Sequence, residues 1–234
     1  MNGRIKREGA SGVLSLPEIG KLKIGKKSEK GYPMSVDYFI ATGKYAEMFH
    51  AALGEKPSTI QILFPSDDAG DVCREEYQYR DNSGALVASG DGETFRVWNG
   101  KKYVEVSTEK RPDIMEAITK QYPTRRGDDN WDIVLTMRFV IPAVRGIAGV
   151  WRFSTKGKAS SVKNIRDSFD GVQEMAGTVT GCVFDLSVQF AKSNKPGDSS
   201  RYPVVSLVAN NNRVQEVRTM LTEGETAKNL LIER

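Results

Sequence analysis

The sequence predicts an α+β fold: a mostly antiparallel, curled sheet carrying two to four helices. Three observations predict it. Nine short runs are rich in β-branched and aromatic residues and bounded by Gly, Asp, Asn or Pro; turn motifs sit between several of them; and helical spacing recurs at only three places, without βαβα alternation.

In chain order, "GKLKIGKKS" (20–28) contains a strand-like Lys-Leu-Lys-Ile, and 31–43 is aromatic and β-branched without helical spacing. Residues 44–53 then place Tyr45, Met48, Phe49, Ala52 and Leu53 on one helical face, closed by Gly54. Strands are predicted over 58–64, 74–80, 84–90, 94–100, 101–106, 132–142, 149–155, 181–190 and 201–210. "DNSG" (81–84) and "NGKK" (99–102) read as hairpin turns, since Asn-Gly tolerates positive φ. Pro112 stands at the first position of a helix over 111–122. A third helix, over 158–177, carries an apolar stripe of Val162, Ile165, Phe169, Val172 and Met175. A barrel of the OB type suits this strand density, although periodicity says nothing about closure.

Residues 1–30 form a basic N-terminal arm leading into the first strand, 14–210 a single α+β domain, and 211–234 a polar tail. The chain has 234 residues, enough for a substantial core, and a mean hydropathy of −0.43. No apolar stretch approaches a membrane span of about 18 residues, and the N-terminus lacks the apolar region of a signal peptide. The expected location is a cytosol. Cys73 and Cys182 stand far apart and read as two buried thiols. Net charge is +4, but residues 1–30 hold eight Lys/Arg against three Glu, a local +5 that leaves about −1 for the other 204. That arm suits phosphate or an acidic protein partner as readily as plain solvation.

Catalytic patterns are poorly represented. His50 is the only histidine and lies off the apolar stripe of its helix, as a surface residue does. Three scattered Cys/His residues do not make a zinc site, so neither metal nor cofactor is expected. "DDAGD" (67–71) and "DDNWD" (128–132) lack the alternating ligands and closing glutamate of a calcium loop and read as turns. "GKLKIGKK" satisfies the start of a phosphate loop. Lys27, however, replaces the Ser/Thr that would meet magnesium, and the segment is a strand where a loop opening a helix is required.

Basic and aromatic residues interleaved on strands remain. Arg74, Tyr77, Tyr79 and Arg80 share one run, Arg96, Trp98, Lys101 and Lys102 one hairpin, and Trp151, Arg152, Lys156 and Lys158 the lead into the third helix. With Lys21, Lys23, Lys26 and Lys27 they are the candidate nucleic-acid-binding residues, because single strands are held by base stacking plus backbone neutralisation. Strand aromatics equally serve as core.

The order "LPEIGKLKIG", "GYPMSVDYFIATG", "YAEMFHAALG", "STIQILFPSD", "TMRFVIP", "GVWRFSTKGKASSVKNI" and "RYPVVSLV" resembles the phage recombination directionality factors that act with large serine integrases, in their actinophage form. The islands span about residues 14 to 210. The resemblance implies that Gly31, Pro33, Asp37 and Phe39 belong to the shared core, with the Lys44–Leu53 helix packed behind as scaffold. It implies a non-enzymatic protein of the bacterial host cytoplasm whose partner is a phage-encoded serine integrase, switched from integration to excision. Relatives carry mid-chain cysteines suggestive of a metal clip; here only Cys73 stands in that region. A phage single-stranded-DNA-binding or replication accessory protein is the alternative, and an enzyme or an inhibitor of a host system a third.

Overall fold

A computed structural model describes residues 16–125, 131–193 and 197–210; the N-terminal fifteen residues of the arm and the 211–234 tail lie outside that set. The first strands are β1 (Glu18–Lys27) and β2 (Pro33–Thr42), followed by helix α1 (Ala46–Leu53) and β3 (Thr59–Leu63). A one-turn helix α2 (Ala69–Val72) leads into β4 (Cys73–Arg80), β5 (Leu86–Gly90), β6 (Thr94–Trp98) and β7 (Tyr103–Ser107). Then come α3 (Ile114–Gln121), β8 (Trp131–Phe139), β9 (Val150–Thr155), a π-helical turn (Lys158–Val162) running into α4 (Lys163–Ala176), and β10 (Val183–Lys192) and β11 (Arg201–Ala209).

The strands form two sheets. The larger has eight strands in the order β2-β1-β9-β8-β4-β5-β6-β7, and the smaller has three, β11-β10-β3. Every pair is antiparallel except β1 with β9. The fold is thus α+β and mostly antiparallel, as the strand pattern predicts, and the sheet is open: it does not close into a barrel. The isolated bridge Leu63–Val140 joins the end of β3 to the residue after β8 and so stitches the two sheets at one corner.

Alternation explains which face each strand buries. Leu135, Met137 and Phe139 of β8 are buried while Thr136 and Arg138 between them are not, and Leu22 of β1 is buried between exposed Lys21 and Lys23. The buried sides of β1, β2, β8 and β9 meet β10, β11, α1 and α4 in one core, which includes Phe39, Phe49, Trp151, Phe153, Phe169 and Phe184. Each of these rings contributes about 1.5–3 kcal/mol by leaving water. A second core joins Tyr79, Ala88, Phe95 and Val97 to Ile114 and Ile118 of α3, with Trp131 against both Tyr79 and Phe95 at 5.2 and 5.4 Å between ring centroids.

The helix stripes hold with two exceptions, Ala52 of α1 and Met175 of α4, both exposed. Phe49 of α1 is fully buried 5.5 Å from the Trp151 ring, so this helix does pack behind the sheet. In α4, Ile165 and Phe169 are buried, but Met175 is 83% exposed: the last turn has left the core before Gly177 ends the helix at φ +73°. Cys73 and Cys182 are buried and unpaired to each other.

Candidate functional site

Both cores lie on one side of the eight-stranded sheet. Residues opposite one another in register share a face, so the other side can be followed strand by strand. Lys21 of β1 faces Arg152 of β9, and Arg152 faces Arg138 of β8. One step along, Arg74 of β4 faces Thr136, which faces Ser154. Further across, Gln78, Ser89, Arg96 and Glu105 continue the same face through β4 to β7. A groove of about 660 Å³ runs along this face between Glu18, Arg74, Arg80, Arg138, Arg152 and Lys156, with Gly70 and Asp71 of α2 also lining it, and Val134, Gln78 and Ser89 of the same face are buried.

Its electrostatics are partly compensated. Arg74 pairs with Glu76 at 3.1 Å, Arg152 with Glu18 at 3.4 Å and Lys156 with Asp132 at 2.6 Å. Lys21 reaches the same Glu18 at 4.0 Å, so two cations share one carboxylate. Arg138 donates to the Leu16 carbonyl, at 3.3 Å, and Arg80 to the Gly84 carbonyl and the Gln78 amide oxygen. Thr136 and Ser154 hydroxyls meet at 3.0 Å between them.

The sequence-predicted residues divide accordingly. Lys21, Lys23, Arg74, Arg80, Arg96, Arg152 and Lys156 are brought together on the open face. Lys26 and Lys27 end β1 at the β1–β2 hairpin, where Tyr32 (70% exposed) and Met34 (43%) also project. Lys101 and Lys102 occupy the β6–β7 turn, held by backbone donation to Asn99 Oδ1, at the opposite end of the sheet. Lys158 opens the π-helical turn, and its side chain lies outside the described set.

The expected aromatic platform does not form. Tyr79 and Trp151 are 0% and 1% exposed, on the covered side of the sheet, and neither ring has a face left for a base. Tyr77 shares that covered side, 6.5 Å from Phe95. Trp98 is on the open face but packs on Tyr103 at 5.3 Å, and the Arg96 guanidinium already lies 5.6 Å over the Tyr103 ring. Arg138 is the site residue that pattern reading missed. Its signal was available, since Thr136 and Arg138 alternate against the buried Leu135, Met137 and Phe139 of β8; what was invisible is its lateral alignment with Arg152 and Lys21.

A second depression, of about 650 Å³, opens on the covered side between the two cores. Arg166 of α4 spans it to Glu75 at 2.7 Å, and that hydrogen bond raises the guanidinium pKa further. Burial, then the nearby Asp170 charge, pushes the Cys73 thiol up to about 12 despite Arg166, so it is not a nucleophile at neutral pH. Among the described residues no group of three or more His, Cys, Asp or Glu is placed to hold a metal ion. His50 has its ring nitrogen Nδ1 3.2 Å from the Gly54 carbonyl at the end of its own helix. The strand assignment of 18–27 replaces the phosphate-loop geometry by a ladder paired on both sides. No described helix is long and apolar enough to cross a membrane.

Fold and surface together define an α+β protein with an open, cation-rich sheet face. The chain belongs to the Gp3-like, recombination directionality factor-like family, whose model matches residues 19–210. No curated protein and no solved structure matches it.

Proposed function

We propose that this protein is a recombination directionality factor that acts by binding a phage-encoded serine integrase, turning it from integration to excision without catalysing any covalent step itself. The observation that carries this reading is the family match from 19 to 210, which takes in both sheets and both cores and leaves no described element as an added module.

Physically, such a factor needs only to bind one arrangement of the recombinase assembly more tightly than another. Reversing a 1:99 balance to 99:1 takes a preference of about 10⁴-fold, or about 5.5 kcal/mol, which a modest interface supplies. The single-strand-binding alternative loses support, because two of its four stacking aromatics, Tyr79 and Trp151, are core residues.

The test is reconstitution. The purified chain is expected to co-elute with the serine integrase encoded in the same genome and to enable attL × attR recombination. Absence of both co-elution and excision with that integrase would end the reading.

A further inference from the structure

Three cations stand side by side across three adjacent strands. Lys21 is opposite Arg152, and Arg152 is opposite Arg138, so the row spans two strand spacings of about 4.8 Å each. Like charges directly opposite one another destabilise a sheet, and among the described residues a single carboxylate, Glu18, lies within reach of two of the three. The neighbouring row supplies Arg74 and the hydroxyls of Thr136 and Ser154, which are neutral donors flanking the cations. A row that opposes folding and is bordered by donors marks a surface completed by an external anion.

We infer that this face docks on the phosphate backbone of duplex DNA, contacting it with Lys21, Arg138, Arg152 and Arg74 and reading no base sequence. The row is matched to a polyanion with charge spread along a line, whereas a protein partner requires a desolvated apolar centre with charged residues at its rim. No large exposed hydrophobic residue lies in this row: Tyr32 and Met34 are on the β1–β2 hairpin, Tyr103 is beyond Arg96, and Met175, Tyr202 and Val208 are on other elements. Single-stranded nucleic acid is disfavoured because it is held by accessible ring faces, and the Trp151 ring lies on the reverse of the same sheet. Phosphate contact from side-chain cations and hydroxyls positions a protein on a duplex and carries no sequence information. The inference goes beyond the integrase reading and does not depend on it.

The experiment is fluorescence anisotropy with a labelled duplex of arbitrary sequence, about 20 bp long, titrated between about 50 and 200 mM salt. The wild type is expected to bind with a log–log salt slope of about −3.6, at about −0.9 for each of the four cations. The variant K21Q/R138Q/R152Q should bind at least about tenfold more weakly with a slope near −1, which is the share left to Arg74, while its thermal midpoint stays unchanged or rises, since the like-charge row is relieved. R138K/R152K should keep the slope. Should the triple variant fail to fold, R138Q by itself should flatten the slope by about one.

The inference is overturned by absence of duplex binding at low salt, by an unchanged slope in the triple variant, or by tighter binding of oligo-dT than of duplex. It is also overturned if the triple variant loses integrase co-elution while keeping duplex affinity, which would make the row a protein contact. A wild type that binds duplex but no integrase ends the directionality reading and leaves this one intact.

Discussion

Asp67 lies in an acidic run whose residues read locally as turn formers, and it does something else. Its carboxylate accepts from the Thr178 hydroxyl at 2.8 Å, the Val179 and Thr180 backbone N–H groups at 2.7 and 2.8 Å, and the Thr180 hydroxyl at 2.9 Å. The local turn role falls to Asp68, which accepts from Gly70 N–H at 2.8 Å and caps α2. Burial raises the Asp67 pKa, but the backbone N–H of Thr180, the hydroxyls of Thr178 and Thr180 and the N–H of Val179 outweigh it and hold the carboxyl below its ordinary range. A depressed folded value means that this stabilisation is complete above the unfolded carboxyl's pKa and is lost as pH falls through the folded one. Asp67→Ala leaves these donors without their acceptor and is expected to cost about 1–3 kcal/mol. Urea unfolding should show a lower midpoint at unchanged slope; an unaltered midpoint would show the hub to be dispensable.

At the scale of the element, a glycine sets how closely a strand and its neighbour's side chain approach. A Cβ on Gly20 of β1 would lie 2.3 Å from Trp151 Cζ3, so the glycine that completes an apparent phosphate-loop motif exists to let the indole fold over the backbone. Gly20→Ala is expected to destabilise by about 1–3 kcal/mol through overpacking, read as a fall in thermal midpoint with the far-UV spectrum preserved. A neutral result would mean that the indole moves aside. The predicted hairpin turns occur where the Asn and Asp side chains demanded them: Asp81 Oδ1 accepts from Ser83 and Ala85 N–H, and Asn99 Oδ1 from Lys101 and Lys102 N–H. These elements were legible because their causes lie within four residues of one another.

At the scale of the whole molecule, the eight-stranded sheet lies beneath two cores. β4 and β8 pair from Cys73–Met137 to Tyr79–Trp131, and this ladder begins in the first core and ends in the second. Unfolding either core must therefore unzip strands shared with the other. Ile118→Ala, in the second core, is expected to cost about 2–4 kcal/mol and to lower one transition whose midpoint is the same by circular dichroism and by tryptophan fluorescence. Two separated steps would show that the cores unfold independently.

Strand and helix positions, the turns and the absence of parallel alternation were determined by the sequence itself, since period-two and helical patterns, proline and turn residues act over a few neighbours. Alternation also correctly grouped Tyr77 with Tyr79 on one face of β4. Which face is covered depends on what packs there, and only the tertiary structure decided that Tyr79 and Trp151 turn inward while Arg138 turns out. The parallel β1–β9 pair, which sets Lys21 beside the Arg152–Arg138 pair, comes from pairing residues more than a hundred positions apart. Such pairing is chosen by the joint burial of both sheets, an energy summed over the whole core and carried by no local stretch of chain.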